Sequence, residues 1–457
     1  MIDPESAPSA GNEDFPSSPQ PLLTPPPLTS PPAAPPVHES LILLILASVQ
    51  FTNIVDFMVI MPLAPQLERD MGLTPARFSM VVSSYTYAAG LAGLLATMVI
   101  DRWPRRSAFL SLYAGFLVGT LACGLAPNYG ALLAARFLTG AFGGVLGGMA
   151  MTIIGDVFPE HRRGAATGAL MSAFAIASIF GVPIGLTLGQ KFGWHTPFFV
   201  LAALGVPTLL MARRTMPALD AHVGKVQTES ALARLRGTVV EPNHLRAFAL
   251  TVAMQFGSFA VLPFMSPYLV ANVRLPESHL ALLYIVGGAL TLFAAPIAGR
   301  IADRLGKLRV YRMLAPVTAL VMIAVTNLPP VSTALAVLVM AALMVSNAGR
   351  MVPAMAMITS SVQPHRRGGF LGANSAVQHM ASGLGTSVAG LILAKGADGR
   401  FLHFPVVGAI GAVVTLASMW IAGRLRIADA SREVTLEESF AAAAQATVEQ
   451  AEPIVEI

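Results

Sequence analysis

An acidic residue stands in the middle of an apolar run, FTNIVDFMVIMP, at residues 51–62. An ionised carboxylate inside hydrocarbon costs on the order of 2.5–3.5 kcal/mol on insertion scales, so Asp56 needs a wet cavity, a counter-charge or a bound proton. Gln50 and Asn53 precede it at intervals of three residues and share its face of a helix. This polar face predicts a protonatable or cation-binding group in a water-filled cavity. A structural Asp56, satisfied by a neighbouring helix, is the alternative.

Two arginines also lie within apolar runs, Arg136 and Arg350. Arg136 is the expected counter-charge for Asp56, because both belong to the first half of the chain. One hypothesis is that they exchange partners when the site takes up a proton or a substrate, and the other is a static buried pair. For Arg350, anion attraction, a contact between halves and snorkelling to the interface all remain open.

A second polar face is predicted on the helix that spans 369–394, where Asn374, Gln378 and His379 fall within a sector of about 140° together with two serines. The imidazole of His379 could titrate in the working pH range. A second proton site is therefore one interpretation, and a satisfied hydrogen-bonding group is the other.

Aromatic and amide side chains on several apolar runs could line a cavity for a moderately apolar organic ligand. Ordinary packing between helices, or contact with lipid, is the alternative for each of them. The candidates are Tyr85, Gln255, Phe259, Asn374 and Gln378.

The elements that must position these residues are membrane helices. The 457 residues are 54% hydrophobic and 12% charged, with a mean hydropathy of +0.66, and a soluble protein would carry about twice the charge. Apolar runs of about 20 residues, long enough to span a bilayer, recur along the chain. The fold class is therefore an all-α membrane protein.

Several function classes lack sequence support. A single cysteine, Cys123, excludes a disulfide framework or thiolate cluster. The motifs GxxxxGK[ST], HExxH and GxSxG are missing, so ATP hydrolysis and those hydrolase chemistries are not expected. We expect no enzyme, no metal and no cofactor.

Twelve transmembrane helices are predicted between two tails. Residues 1–39 form a Pro-rich tail expected to be disordered and cytoplasmic, residues 214–245 a cytoplasmic linker, and residues 427–457 an acidic cytoplasmic tail. Six-helix units are expected at 40–213 and 246–426. The spans are predicted at 41–63, 78–100, 107–126, 130–153, 165–189, 195–213, 246–270, 279–299, 310–327, 331–355, 369–394 and 404–424.

The basic residues predict the orientation. With both termini in the cytoplasm, two of the 29 Lys and Arg lie within spans and the great majority of the others lie on cytoplasmic segments. This bias follows the positive-inside rule and explains the basic composition without nucleic acid. The exceptions, on the external side, are Arg69, Arg77, Lys191, Arg274, Lys395 and Arg400.

The chain also repeats itself. FPEHRRGAATG follows the fourth span and QPHRRGGFLG the tenth, and the pair Asp101-Arg102 after the second span corresponds to Asp303-Arg304 after the eighth. Two matches at nearly one offset predict a duplicated six-helix unit. Because six is even, the copies keep the same orientation, as parallel repeats around an axis normal to the membrane.

These loops resemble a motif of the major facilitator superfamily, G-x-L-a-D-R-x-G-R-[RK], in its twelve-span drug-proton-antiporter-like and arabinose-efflux-permease-like branches. The second copy, Gly299-Arg-Ile-Ala-Asp303-Arg304-Leu-Gly306-Lys307, fits well. The first, Thr97-Met-Val-Ile-Asp101-Arg102-Trp-Pro104-Arg105-Arg106, keeps the charges but has neither glycine. The resemblance covers about residues 40–426.

Two further segments carry the resemblance. Arg136-x-x-x-Gly140-x-x-Gly143-Gly144 is similar to a family segment whose arginine is linked to proton transfer. Gly181-Val-Pro183-Ile-Gly185 is similar to the antiporter motif of exporters, with proline one position later than usual. Physically, small residues at these spacings let helices approach closely, and Pro183 should bend its span. Ordinary helix packing remains the alternative for this segment.

The resemblance implies a monomeric secondary transporter of the bacterial inner (plasma) membrane, with a small-molecule substrate, protons and the lipid bilayer as its partners. Proton-coupled efflux of a drug-like or sugar-like compound is expected. An importer or facilitator, or a transporter-like sensor, is the alternative. Cytoplasmic gating loops would stabilise the outward-facing state through Asp101, Arg102, Arg105, Arg106, Asp303, Arg304, Lys307, Arg162, Arg163, Arg366 and Arg367.

Overall fold

A computed structural model describes residues 39–99, 103–219, 240–363 and 366–428. The expected N-terminal tail up to residue 38, most of the linker and the tail from residue 429 lie outside these described residues. The helices are α1 (Glu39–Val59), α2 (Ala64–Met71), α3 (Pro75–Val99), α4 (Arg105–Gly124), α5 (Tyr129–Val157), α6 (Glu160–Ile176), α7 (Val182–Phe192), α8 (Thr196–Thr215), α9 (Pro242–Val261), α10 (Met265–Ala271), α11 (Leu280–Leu305), α12 (Lys307–Thr326), α13 (Thr333–Ser360), α14 (Arg367–Ile392) and α15 (Phe404–Gly423).

Eleven helical segments in the described ranges are long and apolar enough to cross a membrane. The helix α14, which coincides with the predicted span 369–394, has 26 residues but is not among the eleven. Its polar face lowers its hydropathy, because Asn374, Gln378 and His379 lie near its middle. The helix packs mainly against α3 and α9.

Two of the spans are interrupted. Between α6 and α7 the chain makes a π-helical turn, Ala177–Gly181, just before Pro183. Proline lacks an N–H and its ring clashes with the carbonyl four residues earlier, so a widened turn at this point relieves the clash. Between α9 and α10 a 3-10 turn, Leu262–Phe264, contains Pro263. The sequence predicted a bend at Pro183, and the structure has a π turn directly before this residue.

Helices from the same half of the chain form most of the packing contacts. In the first half α3 and α4 both pack on α5, and in the second half α11 and α12 both pack on α13. Between the halves, α3 packs on α14, and α7 with the π turn packs on α11.

Among the described residues, buried apolar side chains of both halves meet in one cluster, at one end of the molecule. The largest cluster includes Val59 and Leu67 from the first half and Tyr268 and Phe404 from the second. This end also carries α2, the 3-10 turn Glu277–His279 and a short antiparallel pair of strands, β1 (Ala394–Lys395) and β2 (Phe401–Leu402). It is termed the α2 face below.

At the opposite end the buried apolar residues form two separate clusters. One contains only first-half residues, between Ile42 and Met216. The other contains only second-half residues, between Ala247 and Ala422. The described halves are therefore joined by a continuous apolar core at the α2 face, and each has its own core at the opposite end.

Candidate transport site

The carboxylate of Asp56 is paired with the guanidinium of Arg136. The atoms Arg136 Nη1 and Asp56 Oδ2 are 2.8 Å apart, and both side chains are 0% exposed. Thr120 Oγ1 donates a second hydrogen bond, of 3.1 Å, to Asp56 Oδ1. The helices α1, α4 and α5 thus supply the three side chains. Arg136 is the counter-charge that the sequence predicted for Asp56.

The rest of the guanidinium is incompletely satisfied. Its Nε and Nη2 atoms are buried and have no hydrogen-bond partner among the described residues. The group lies over the ring of Tyr85, with Cζ 4.5 Å from the ring centroid. A cation over an aromatic face gains about 0.5–2 kcal/mol, more where both groups are desolvated. Tyr85 therefore stabilises the charge that hydrogen bonds leave uncovered.

A hydrogen-bond chain connects Tyr85 to the polar face of α1. The Tyr85 hydroxyl donates to Asn53 Oδ1 at 2.8 Å. Asn53 Nδ2 in turn donates to the Gly143 carbonyl oxygen at 2.7 Å. The chain ties α3, α1 and α5 together and holds Tyr85 in place beneath Arg136.

Glycines of α5 make this close arrangement possible. A Cβ atom added to Gly140 would overlap the backbone of Tyr85, and one added to Gly144 would overlap Ala89. A Cβ on Gly143 would lie 2.6 Å from the Tyr85 hydroxyl. Any larger residue at these positions would separate α3 from α5 and displace Tyr85 from Arg136.

The exporter-like glycines of the predicted fifth span pack in the same way. The three glycines lie against side chains of α1 and of the turn that follows it. A Cβ atom added to Gly181, Gly185 or Gly189 would clash with Val55, Val59 or Leu63 respectively. The observed geometry is a close helix crossing. These glycines position α1, and hence Asp56, against α7.

An aromatic contact bridges the two halves next to the ion pair. The ring of Phe57 lies 5.1 Å from that of Tyr85 and 5.9 Å from that of Phe259, centroid to centroid. Sequence reasoning proposed Tyr85 and Phe259 as cavity residues but missed Phe57. The sequence signal that could have identified Phe57 is its position next to Asp56. The direction of its side chain could not be predicted, because α1 shows little apolar periodicity.

The other predicted cavity residues lie apart from the ion pair. Gln255 and Gln378 line one small cavity of about 10 Å³ between α9, α13 and α14. Asn374 is buried and accepts a 2.7 Å hydrogen bond from Thr251. These residues lie on second-half helices, and no hydrogen bond or ion pair links them to Asp56 in the described part of the chain.

Gln50 and His379 have less defined surroundings. Gln50 lies near Gly147, and its Oε1 is buried without a hydrogen-bond partner among the described residues. His379 is partly buried on α14. Within the described ranges its ring forms no hydrogen bond or ion pair, so the predicted proton role stays untested.

Arg350 is fully buried inside the second half. It donates to Thr415 Oγ1 and Ser258 Oγ at 3.2 Å each and to Asn347 Oδ1 at 2.9 Å. These acceptors are all neutral side chains of α9, α13 and α15. Snorkelling to an interface does not describe this position, because the side chain is 0% exposed.

Several of the predicted gating residues make contacts within their own halves. Asp101 and Arg102 lie outside the described residues, and Asp303 and Arg304 are exposed. The observed contacts are Arg105 Nε–Asp156 Oδ2 at 2.6 Å, Arg162 Nη1–Glu39 Oε2 at 2.7 Å, Arg366 Nη1–Glu241 Oε2 at 4.0 Å, Lys307 Nζ–Ser360 Oγ at 3.1 Å, Arg163 Nε–Phe158 O at 3.0 Å, Arg367 Nε–Val362 O at 3.3 Å and Arg106 with the Arg213 carbonyl.

Hydrogen bonds between the halves join α3 to α14 through Ser83, Tyr87, Gly383 and Ser387. Charged contacts between the halves occur at the α2 face. Glu68 pairs with Lys395 at 2.7 Å, and Arg69 forms a two-pronged ion pair with Glu277. Gln190 Nε2 also donates to the Glu277 carbonyl oxygen at 2.7 Å. Sequence reasoning missed this set, because its members are far apart in the chain, by 327 residues for Glu68 and Lys395.

Comparisons with known proteins agree with this architecture. The model of the Major Facilitator Superfamily matches residues 46–349 and 247–451. The MFS-type transporter YceJ of Bacillus subtilis is 26% identical over 381 residues, which cover 81% of this chain and 93% of the relative. The inner membrane transport protein YdhP of Escherichia coli is 26% identical over 369 residues, covering 80% and 91%.

A shorter match and a solved structure add to the picture. A chloramphenicol resistance protein of Streptomyces lividans is 24% identical over 245 residues, covering 53% of this chain and 62% of the relative. The crystal structure of a bacterial homologue of the human lysosomal transporter Spinster, in an inward-facing and occupied conformation, has the same fold, with a TM-score of 0.63. It is 19% identical and covers 86% of this chain and 95% of its own.

The fold and the family match define the class: an integral membrane transporter of small molecules, of a kind that generally works as a single chain. The chain belongs to the Major Facilitator Superfamily.

Proposed function

We propose that the protein exports a small organic compound, drug-like or sugar-like, in exchange for protons across the bacterial inner membrane. Twelve spans form two six-helix bundles, with both termini cytoplasmic, that open a central cavity to each side in turn. The observation that carries the proposal is the fully buried Asp56–Arg136 pair beside the aromatic contact between the halves.

The packing pattern supports alternating access. The halves share one apolar core at the α2 face and have separate cores at the opposite end. Under the predicted orientation the α2 face is external, and the arrangement corresponds to a form open towards the cytoplasm. The gating loops, which would bind the halves together in the outward-facing form, show contacts within one half, such as Arg105 with Asp156 and Lys307 with Ser360.

Asp56 is proposed to carry the proton. Neutralising it removes the partner of a buried guanidinium, and leaving one member of a buried pair alone costs about 3–5 kcal/mol. Protonation therefore favours any conformation in which Arg136 meets water or another acceptor. Because Arg136 rests on Tyr85, and Tyr85 contacts Phe57, such a rearrangement reaches the Phe259 contact with the second half.

The similarity to one relative is the reason for proposing efflux and not import. The similarity to a chloramphenicol resistance protein supports an aromatic, moderately apolar cargo, for which the rings of Tyr85, Phe57 and Phe259 are suited. The same fold could also import its substrate or let it diffuse down its gradient, and the following test distinguishes these two activities from export.

The test is transport by purified protein in liposomes with an imposed pH gradient of either sign, using chloramphenicol and a panel of aromatic and sugar-like compounds. Proton-coupled exchange predicts that at least one compound accumulates on the acidic side and that accumulation collapses with a protonophore. Accumulation on the alkaline side would identify an importer, and equilibration that ignores the gradient would identify a facilitator.

A further inference from the structure

Glu68 is a carboxyl group that lies outside the membrane-spanning helices and is nevertheless buried. It belongs to α2, and its side chain is only 7% exposed. Its Oε2 accepts a 2.7 Å hydrogen bond from Lys395 Nζ, on strand β1 of the other half. Its Oε1 is buried and has no hydrogen-bond partner among the residues that the structure describes. The Glu68 carboxyl group is thus buried at the contact between the two halves.

The charges around Glu68 balance it only partly. Lys395 is shared with the ring of Phe401, 5.2 Å away, and remains 32% exposed. Arg69 is engaged by Glu277. Asp70 is a further carboxylate on α2, and α10, which packs on α2, carries Tyr268. Glu68 therefore has one cation at hydrogen-bond distance and one oxygen without any donor.

Burial raises the pKa of Glu68 above its usual value, and this effect exceeds the lowering by Lys395 and Arg69. When the α2 face opens, the carboxyl group returns to water and to an ordinary pKa. The form with the higher pKa binds the proton more tightly, so protonation stabilises the closed face and ionisation stabilises the open one. This is the opposite of a simple salt-bridge latch, which acid would release.

We propose that Glu68 is a second proton-binding residue and that its protonation closes the α2 face. The inference rests on the proposed proton-coupled exchange, in which the α2 face opens to the outside. After the substrate leaves, an external proton neutralises Glu68, the carboxyl group becomes inexpensive to bury, and the two halves close around it. Asp56 then changes partner inside the membrane, while Glu68 acts at the entrance.

The test measures the opening of the α2 face directly. Spin labels on Lys191→Cys and Ser278→Cys, in a Cys123→Ser background, report the distance between the halves at this face. The labelled protein is studied in nanodiscs between about pH 8 and about pH 5, a range that lies above the ordinary glutamate pKa, with no substrate and no gradient. The proposal predicts that the short-distance population grows as the pH falls.

Two variants separate the proton role from a structural one. Glu68→Gln imitates the protonated group, so its α2 face should be closed at every pH in the range. Lys395→Gln removes the compensating cation, which stabilises only the ionised closed form, so the short-distance population should fall at high pH and stay unchanged at low pH. Asp398→Asn is the matched control, since Asp398 is an exposed carboxylate that pairs with Arg400 on the same hairpin, and its response should equal that of the parent protein.

Three results would overturn the proposal: opening of the face on acidification, opening caused by Glu68→Gln, or a pH response that Glu68→Gln leaves intact. Each would show that Glu68 is ionised in the closed form or irrelevant to closure. Because neither substrate nor gradient is present, a failed transport assay with an intact pH response would count against the proposed function and not against Glu68.

Discussion

Asp56 and Arg136, which are 80 residues apart in the sequence, form an ion pair of 2.8 Å from which water is excluded. Taking both charges out of water is costly, and their mutual attraction offsets that cost only while the pair is intact. The pair is thus stable as a unit and costly to break, which is the property that a proton-driven switch requires.

The losses of stability caused by removing Asp56 and Arg136 should not be additive. We expect Asp56→Asn and Arg136→Gln each to cost about 3–5 kcal/mol, and the double variant to cost clearly less than their sum. Thermal unfolding in detergent measures this coupling. Additive losses would show that the two side chains do not depend on each other. The exposed pair Asp398–Arg400 provides the control cycle, with little loss expected at any step.

Tyr85 should contribute through both its ring and its hydroxyl. Tyr85→Phe keeps the face beneath Arg136 but leaves Asn53 Oδ1 without its donor, at a cost of about 1 kcal/mol. Tyr85→Leu also removes the cation–π contact and should cost more and slow transport further. Thermal unfolding and initial transport rates measure the two changes. Equal effects of the two variants would mean that the ring contact with Arg136 adds nothing.

Gly140 should tolerate no side chain. Gly140→Ala places a Cβ against the backbone of Tyr85, so α3 and α5 must separate, and we expect a loss of several kcal/mol or failure to fold. Gly148→Ala on the same helix is the matched control, because nothing lies within 4 Å of its added Cβ. Yield of monodisperse protein and its unfolding temperature are the readouts. Comparable behaviour of the two variants would contradict the close crossing.

The predicted orientation can be checked by labelling. In a Cys123→Ser background, Lys225→Cys in the linker should react with a membrane-impermeant thiol reagent only from the cytoplasmic side. Ser278→Cys at the α2 face should react only from outside. The reverse pattern would place the termini outside and would require the α2 face to be an internal gate.

The sequence predicted the helices and the central pair for physical reasons that act locally. Long apolar runs have few alternatives to a spanning helix, and a carboxylate at Asp56 demands a counter-charge, for which Arg136 was the candidate in the same half. The helix α14 follows the predicted span although its composition is too polar for a hydropathy criterion. What escaped prediction depends on tertiary contact: the direction of Phe57, the exact acceptors around Arg350 and the α2-face pairs.

The contacts of Glu68 illustrate this limit. Its partner Lys395 lies 327 residues away in a short connection, and neither residue belongs to a motif. Glutamate and lysine in loops are ordinarily solvated, so composition alone favoured exposed charges. Only the packing of α2 between the halves buries the carboxyl group.

The central claim is that Asp56 couples proton movement to transport. Its most direct test is the comparison of wild type, Asp56→Asn and the control Asp398→Asn in liposomes, measuring substrate accumulation driven by a pH gradient and, separately, exchange of labelled for unlabelled substrate without a gradient. We predict that Asp56→Asn loses accumulation but keeps exchange, and that Asp398→Asn keeps both. If Asp56→Asn concentrates substrate as well as wild type does, Asp56 is not the coupling residue.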